Sequence, residues 1–249
     1  MVRDPRGGHN RYKVNEKLFK IWSHEMAYVL GFIYADGCLI DSCKSSRTQY
    51  LSIASKDSSI LHKINQALGC KKPLYKVQPK IIKYPNGIYK NSLTYVLRFG
   101  NKVMFNDLIN LGLTPRKSLS LKLPQIPSQY FSSFLRGYFD GDGCLTLSRP
   151  YKNKNRAYRV RLVLTSGSKQ FLNDIGSSIS EFTEIQSKNI YQQVNSFHLV
   201  YCKTAALKIL RFMYSDIEQN KLYLDRKYER YLHLLKIKKI RSKTCLFVL

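Results

Sequence analysis

The chain is poor in acid. Of its 249 residues only 16 are Asp or Glu, against 42 Lys or Arg, for a formal net charge of +26. A charge of that size says little about fold and much about partners, since it favours polyanions. Long apolar runs are also lacking. The longest, Met26 to Ala35, has ten residues, too short to span a bilayer, and Met1 to Lys20 is polar and basic with no apolar signal core. The expectation is a protein without membrane association, intracellular, in a mitochondrion, a chloroplast or a bacterial cytoplasm. The six cysteines show no Cys-x-x-Cys spacing and no paired histidines beside them, which argues against structural zinc. They read as reduced, mostly buried thiols, with Cys38 and Cys144 as packing residues.

What is present is one stretch that occurs twice. Val29-Leu30-Gly31-Phe32-Ile33-Tyr34-Ala35-Asp36-Gly37 returns 106 residues later as Leu135-Arg136-Gly137-Tyr138-Phe139-Asp140-Gly141-Asp142-Gly143, and each copy continues with Cys-Leu. Apolar residues at helical spacing ordinarily mean core. They do not account for the small residue at the third place (Gly31, Gly137) and again four later (Ala35, Gly141). Positions four apart share a helix face, and small side chains there let two helix backbones approach closely. Two such helices packed together end together and hold Asp36 near Asp142. Adjacent carboxylates repel and call for a cation between them; a pair of oxygen ligands with room for water suits magnesium.

Around these stretches a whole subdomain repeats. Ser23 reads as an N-cap with Glu25 in the first turn, and Gly37 as the glycine just past the helix. Leu39–Asp41 and Thr48–Ser55 read as strands, the second by the alternation of Leu51 and Ile53 with Tyr50 and Ser52. Asp57 is placed to cap a helix bearing Ile60, Leu61, Ile64 and Leu68. Pro73–Tyr84 and Ile88–Phe99 read as a lysine-rich hairpin about Pro85-Asn86-Gly87. A helix with Phe105, Leu108 and Ile109 follows. In the second half Ser128 is read as the cap of the second motif helix, Leu145–Ser148 and Arg156–Thr165 as strands, and Ser168 as the cap of a helix whose Phe171, Leu172, Ile175 and Ile179 repeat the earlier quartet shifted by 111. A hairpin from about Thr183 to Tyr201 precedes a helix with Ala206, Ile209 and Leu210, at a shift of 101.

The fold expected is therefore α+β: two pseudo-symmetric αββαββα halves, each an antiparallel sheet with helices on one face. The division is a basic arm (1–22), a first half (23–118), a Pro-containing linker (119–127), a second half (128–240) and a tail (241–249). The bare sheet faces carry the candidates for DNA contact: Lys44, Arg47, Tyr50, Ser52, Lys76, Gln78, Lys80 and Arg98 in the first half, and Arg149, Lys152, Lys154, Arg159, Arg161, Gln186, Lys188, Gln192 and Gln193 in the second. A two-stranded ribbon fits the major groove; Arg and Lys read guanine there, and Gln reads adenine.

Both motif copies closely resemble the LAGLIDADG stretch of homing endonucleases, in the single-chain form that carries two copies. The first copy departs at Tyr34, where that family usually has an acidic residue. The resemblance implies a saddle of two sheets on double-stranded DNA, a monomer, a long pseudo-palindromic site, and hydrolysis of both strands to leave short 3′ overhangs. It implies Asp36 and Asp142 as metal-binding catalytic carboxylates, with backbone near Gly37 and Gly143 as further candidate ligands, and two or three Mg2+ ions that Mn2+ replaces and Ca2+ occupies without turnover. Asp140 is implied to be structural. The family also places a basic residue near each scissile phosphate. Matching Arg116-Lys117 to Arg226-Lys227 gives Lys117 and Lys227, with Lys221 as an alternative in the second half. A different reading is a maturase, which binds its own intron RNA to assist splicing; the intact acids in both motifs favour the nuclease.

Overall fold

The computed structural model describes residues 12–41, 49–85, 87–115, 117–148, 158–186 and 190–245, apart from the side chains of Tyr84, Ser118 and 238–245. The first half runs α1 (His24–Asp36), β1 (Gly37–Asp41), β2 (Gln49–Ser55), α2 (Ser58–Ala67), β3 (Tyr75–Val77), β4 (Ile81–Tyr84), β5 (Gly87–Lys90), β6 (Thr94–Gly100) and α3 (Lys102–Asn110). The second runs α4 (Phe131–Asp142), β7 (Gly143–Ser148), β8 (Arg159–Ser166), α5 (Lys169–Thr183), β9 (Ile190–Gln192), β10 (Phe197–Cys202) and α6 (Lys203–Met213), followed by a long α7 (Asp225–Cys245). Each half builds one antiparallel four-stranded sheet, ordered β1-β2-β6-β3 and β7-β8-β10-β9. This is the α+β architecture read from the repeat, with the same strand order in both halves.

The two motif helices lie backbone to backbone. A methyl added to Gly31 would sit 2.1 Å from the Phe134 carbonyl oxygen, and one added to Gly137 would sit 2.1 Å from the Tyr28 carbonyl oxygen. Phe134 stands to Gly137 as Tyr28 stands to Gly31, so the crossing is self-complementary about a pseudo-twofold axis. One turn later a methyl on Gly141 would meet the Ala35 methyl at 2.3 Å, so that layer has room for one methyl. Gly37 ends α1 as expected, and Gly143 ends α4, but neither does so through a left-handed turn. Their φ values are −86° and −101°, not left-handed; a Cβ there would strike the carbonyl oxygen of Ile33 or Phe139 at 2.5 Å as the chain passes straight from helix to strand.

Each sheet buries one face. In the first, Leu39, Leu51, Ile53, Leu97 and Phe99 point inward; in the second, Leu145, Leu162, Leu164, Leu199 and Tyr201 do. The inward residues meet α2, α3, α5 and α6, whose apolar stripes include Ile60, Leu61 and Ile64, and Phe171, Leu172 and Ile175. Ser23 and Ser168 cap as expected, accepting from the Met26 and Phe171 amides. Ser128 does not: residues 128–130 form a 3-10 turn and Tyr130 precedes α4. Asp57 makes no cap bond, because its Oδ2 accepts from Arg226 Nε at 3.0 Å. The stretch 12–22 packs on the body, with Leu18 and Phe19 buried.

A polar cluster ties the N-terminal ends of the motif helices together. Arg136 of α4, fully buried, donates to both oxygens of Asp216 and to the carbonyls of Met213 and Leu222. Asp216 also accepts from the Ser133 hydroxyl, and His24 Nδ1 lies 3.0 Å from that hydroxyl and 3.1 Å from Asp216. Burial pushes the Asp216 carboxyl up, but the Arg136 guanidinium and the Ser133 hydroxyl outweigh it and hold the group below the usual carboxylate range. Its stabilising contribution is thus full above the unfolded value and is lost as pH falls through the folded one.

Two outcomes are expected. Gly31→Ala or Gly137→Ala should cost about 3 kcal/mol or more, since backbone and not a flexible side chain blocks the methyl; urea unfolding measures this. Asp216→Ala should cost roughly 3 kcal/mol by leaving Arg136 without its counter-charge. It should also flatten the loss of stability below about pH 4, read from melting temperature against pH.

Candidate active site and nucleic-acid interface

Because the glycine layers hold α1 and α4 in contact along their length, both helices end at one place. Asp36 Oδ2 lies 3.3 Å from the point where a methyl on Gly141, the residue before Asp142, would stand. Asp36 is half-buried and Asp142 reaches solvent. Burial pushes the Asp36 carboxyl up to about 6, with repulsion from Asp142 adding and Lys227, Lys117 and Arg226 opposing. Burial also raises Asp142, against the pull of Lys117 and Lys227. The two acids thus share one electrostatic environment at helix C-termini, where the helix dipole adds a further penalty for negative charge.

Lys117 and Lys227 offset that penalty. Lys117 begins a 3-10 turn (117–119), and its Nζ donates to the Tyr34 carbonyl at 2.6 Å and the Ala35 carbonyl at 3.1 Å. Lys227, in the first turn of α7, donates to the Phe139 carbonyl, to Asp140 O at 2.9 Å and to Gly143 O at 2.6 Å. Both are buried, and burial lowers both ammonium groups, Lys227 to about 8. An ammonium has three donors. Lys227 spends all three on main chain, so it offers charge alone, whereas Lys117 has one left to turn toward water or phosphate. Gly143 O, a candidate backbone ligand, already accepts from that ammonium. Lys221 lines a cleft of about 740 Å³ beside Ser23, His24 and Glu25, at the far ends of the motif helices, and so has no part in this site.

The motif's departure at Tyr34 has a physical account. In α4 the matching residue, Asp140, is buried and its Oδ2 accepts from the Tyr28 hydroxyl at 2.8 Å and the Leu224 amide at 2.9 Å, tying α4 to the entry of α7. In α1 the Tyr34 hydroxyl reaches the Leu111 carbonyl at 2.5 Å, tying α1 to the segment after α3. Gly112, at φ +89°, leaves room for that hydroxyl. Donor and acceptor have exchanged sides while the tie is kept.

Among the described residues no group of three or more His, Cys, Asp or Glu gathers for a metal. The donor set is two carboxylates with lysines behind them. It fits a hard cation that keeps several waters and takes its remaining ligands from phosphate, as Mg2+ does, and does not fit zinc or another thiolate-seeking metal.

Strand register sorts the DNA candidates. Tyr50, Ser52, Arg98, Arg159 and Arg161 lie on the bare faces, with the Arg98 guanidinium 4.3 Å over the Tyr50 ring. Lys76 does not: it pairs with Tyr95, on the helix side of the sheet. Gln192 likewise pairs with Phe197 on the inner side. Both are edge-strand residues, where each face meets solvent and polarity does not report orientation. Gln78 and Lys80 fall between β3 and β4, Gln193 follows β9 and Gln186 follows α5, all exposed. Lys44, Arg47, Arg149, Lys152, Lys154 and Lys188 lie outside the described residues. The register instead turns outward Tyr75 and Tyr191, both more than half exposed, at matching places in the two sheets. The pair is legible in the internal repeat but not in basic composition. Cys38 and Cys144, expected to be buried, are exposed on the bare faces, one strand position beyond the inward Gly37 and Gly143.

Two sheets with bare outer faces, joined by glycine-packed helices whose ends present an acid pair, define the two-copy LAGLIDADG architecture. Residues 130–211 match the LAGLIDADG-like domain. Beyond that segment the likeness is one of fold: the whole chain shares its two-halved α+β arrangement with LAGLIDADG endonuclease structures. The homing endonuclease I-WcaI bound to its DNA recognition sequence aligns at TM-score 0.55 and 14% identity, over 87% of this chain and 91% of that one. The LAGLIDADG meganuclease I-AabMI bound to uncleaved DNA aligns at 0.52 and 14%, over 87% and 91%. I-SmaMI, bound to an uncleaved DNA target in the presence of calcium ions, aligns at 0.51 and 14%, over 90% and 93%. Among curated sequences, a probable translation initiation factor IF-2 of Methanocaldococcus jannaschii is 29% identical over 178 residues, 68% of this chain. A reverse gyrase of the same organism is 30% identical over 100 residues, 39% of this chain. The chain spans only 12% and 6% of the length of these relatives.

The strain at the acid pair is measurable. Asp36→Asn should raise the melting temperature of the metal-free protein by roughly 2–4 °C, about 1 kcal/mol, because it removes a buried charge and its repulsion from Asp142. An unchanged or lower value would contradict the electrostatics described.

Proposed function

We propose that the chain is a site-specific double-strand DNA endonuclease acting on a long pseudo-palindromic site. The observation that carries this reading is the convergence of Asp36 and Asp142 midway between two bare sheet faces in a chain of net charge +26. Phosphodiester hydrolysis needs an activated water, a sink for charge at the leaving oxygen and in-line geometry. Bound Mg2+ supplies the acidified water and the charge sink. Asp36 and Asp142, one from each half, would hold it, so that each half would serve one strand. Lys117, with one donor free, is the group suited to position water or meet phosphate in the first half; Lys227 supplies fixed positive charge in the second. The outward residues Tyr50, Ser52, Arg98, Arg159 and Arg161 meet the major groove, and the basic residues Lys44 and Lys154 meet phosphate. Similar but unequal halves suit an imperfect palindrome, bound by one chain. Short 3′ overhangs, acceptance of Mn2+ and occupancy by Ca2+ without turnover go with this reading, as does a genetic setting within a mobile intron.

A maturase that binds its own intron RNA has the same need for basic surface but none for an acid pair, which weighs for the nuclease. The test incubates the purified chain with a randomised duplex library in Mg2+ and in Ca2+, and sequences the ends produced. Mg2+-dependent double-strand breaks at one sequence are expected, with Asp142→Asn lowering cutting by about 10²–10³-fold or more at little cost in affinity. Normal cutting by that variant, or binding to intron RNA with no DNA cut, would overturn the proposal.

A further inference from the structure

The two hairpins that carry β3–β6 and β9–β10 differ in length and in chemistry. In the first half, Tyr75 pairs with Val96 and Val77 with Thr94. Beyond the break at Gln78-Pro79-Lys80, Ile81 pairs with Lys90 and Lys83 with Ile88. Across that break the register is unchanged, and the Asn91 amide donates to the Lys80 carbonyl at 3.0 Å within it. The ribbon β4–β5 is therefore the far end of one long hairpin, pinched where Pro79 has no N–H to give. Constant register carries the alternation of faces through the pinch. Tyr75 and Val77, outward on the bare face, are thus in phase with Ile81, Lys83, Ile88 and Lys90.

That phase holds a row of exposed apolar side chains. Tyr75, Ile81 and Ile88 are each close to 70% exposed and Val77 is 38% exposed, with the lysines 83 and 90 between them. Isolated exposed apolar residues are ordinary; a row in register along one face of a ribbon is not. Among its described residues the second hairpin lacks such a row, its exposed apolar residues being Tyr191 and, at the turn, Val194. Past Tyr191, the counterpart of Tyr75, its chain turns almost at once, with the Gln193 amide donating to Ser196 O at 2.7 Å. The first hairpin runs nine residues beyond Tyr75 to Tyr84; the second runs three beyond Tyr191 to Val194. The difference of six residues is about 20 Å of strand, or roughly six base pairs of duplex.

We infer that the first-half hairpin is a one-sided extension of the DNA interface, whose apolar row reads thymine methyl groups in the major groove beyond the reach of the second half. The thymine C5-methyl is the apolar feature of the major groove, the interleaved lysines match the phosphates beside it, and the ribbon is continuous with the bare sheet face. The inference rests on the endonuclease reading and adds to it a lopsided footprint and the side chains that read its outer arm.

Hydroxyl-radical footprinting of the purified chain on its selected duplex, in Ca2+, is the test. Protection should reach about six base pairs further from the centre on one side, and Ile81→Ala combined with Ile88→Ala should shorten that side alone. Replacing thymines of the long arm by uracil, which removes only the methyl, should weaken wild-type binding about four-fold per contacted methyl and leave the double variant indifferent. Since the uracil change is made on the DNA, it reports the methyl contact independently of any effect of the variant on folding. Arms of equal length overturn the inference and leave the endonuclease reading standing, as does equal sensitivity to uracil in wild type and variant. A self-association that the double variant abolishes would assign the apolar row to a second copy of the chain instead. A chain that protects no duplex overturns both readings.

Discussion

The contact between the backbones of α1 and α4 governs the rest of the molecule. With Gly31 against the Phe134 carbonyl and Gly137 against that of Tyr28, the helices cannot slide or rotate without a clash, because backbone does not yield as a side chain does. Everything beyond the helices inherits that constraint. Each helix passes directly into the first strand of its sheet, so the position of the crossing sets where the sheets diverge and where the acids meet. The same glycines that pack the core thereby place the chemistry.

The acid pair is held at some energetic cost. Two carboxylates at adjacent helix C-termini meet the negative end of each dipole and each other. Lys117 and Lys227 answer by binding the last-turn carbonyls instead of the carboxylates themselves. They make the potential at the acids less negative while their ammonium groups stay on main-chain oxygens. At the opposite ends of the helices the arrangement is reversed: Asp216, Arg136 and Ser133 satisfy one another in the interior, with His24 joining from the first half. One pole satisfies its charges internally; the other holds two like charges side by side.

The two halves share a plan and differ in execution. Tyr34 and Asp140 make the same tie with opposite hydrogen-bond polarity. Lys117 and Lys227 stand at matching positions with different numbers of committed donors. The hairpins match at Tyr75 and Tyr191 and then part in length. A homodimer would have to use one answer at each of these positions twice; a fused pair need not.

The amino-acid sequence by itself determined the duplicated plan, the order of the elements within each αββαββα half and the helix faces, but not the long α7 (Asp225–Cys245) that follows the second half; the acids and lysines came from the resemblance. All of these follow from local periodicity, from spacing that recurs, or from resemblance to the family. It also marked Gly31, Gly137 and Gly141 as points of close approach, since small residues four apart on an apolar helix have few other uses. Only the tertiary structure decided which way an edge strand faces. Polarity points Lys76 and Gln192 outward, yet on an edge both faces are wet, and it is the hydrogen-bonded register with β6 and β10 that turns Tyr75 and Tyr191 outward instead. The same holds for Cys38 and Cys144, whose exposure follows from the inward placement of the preceding glycines, and for Asp57, drawn from its cap by Arg226 169 residues away. Composition reports what a side chain prefers; long-range pairing decides which of its neighbours it meets.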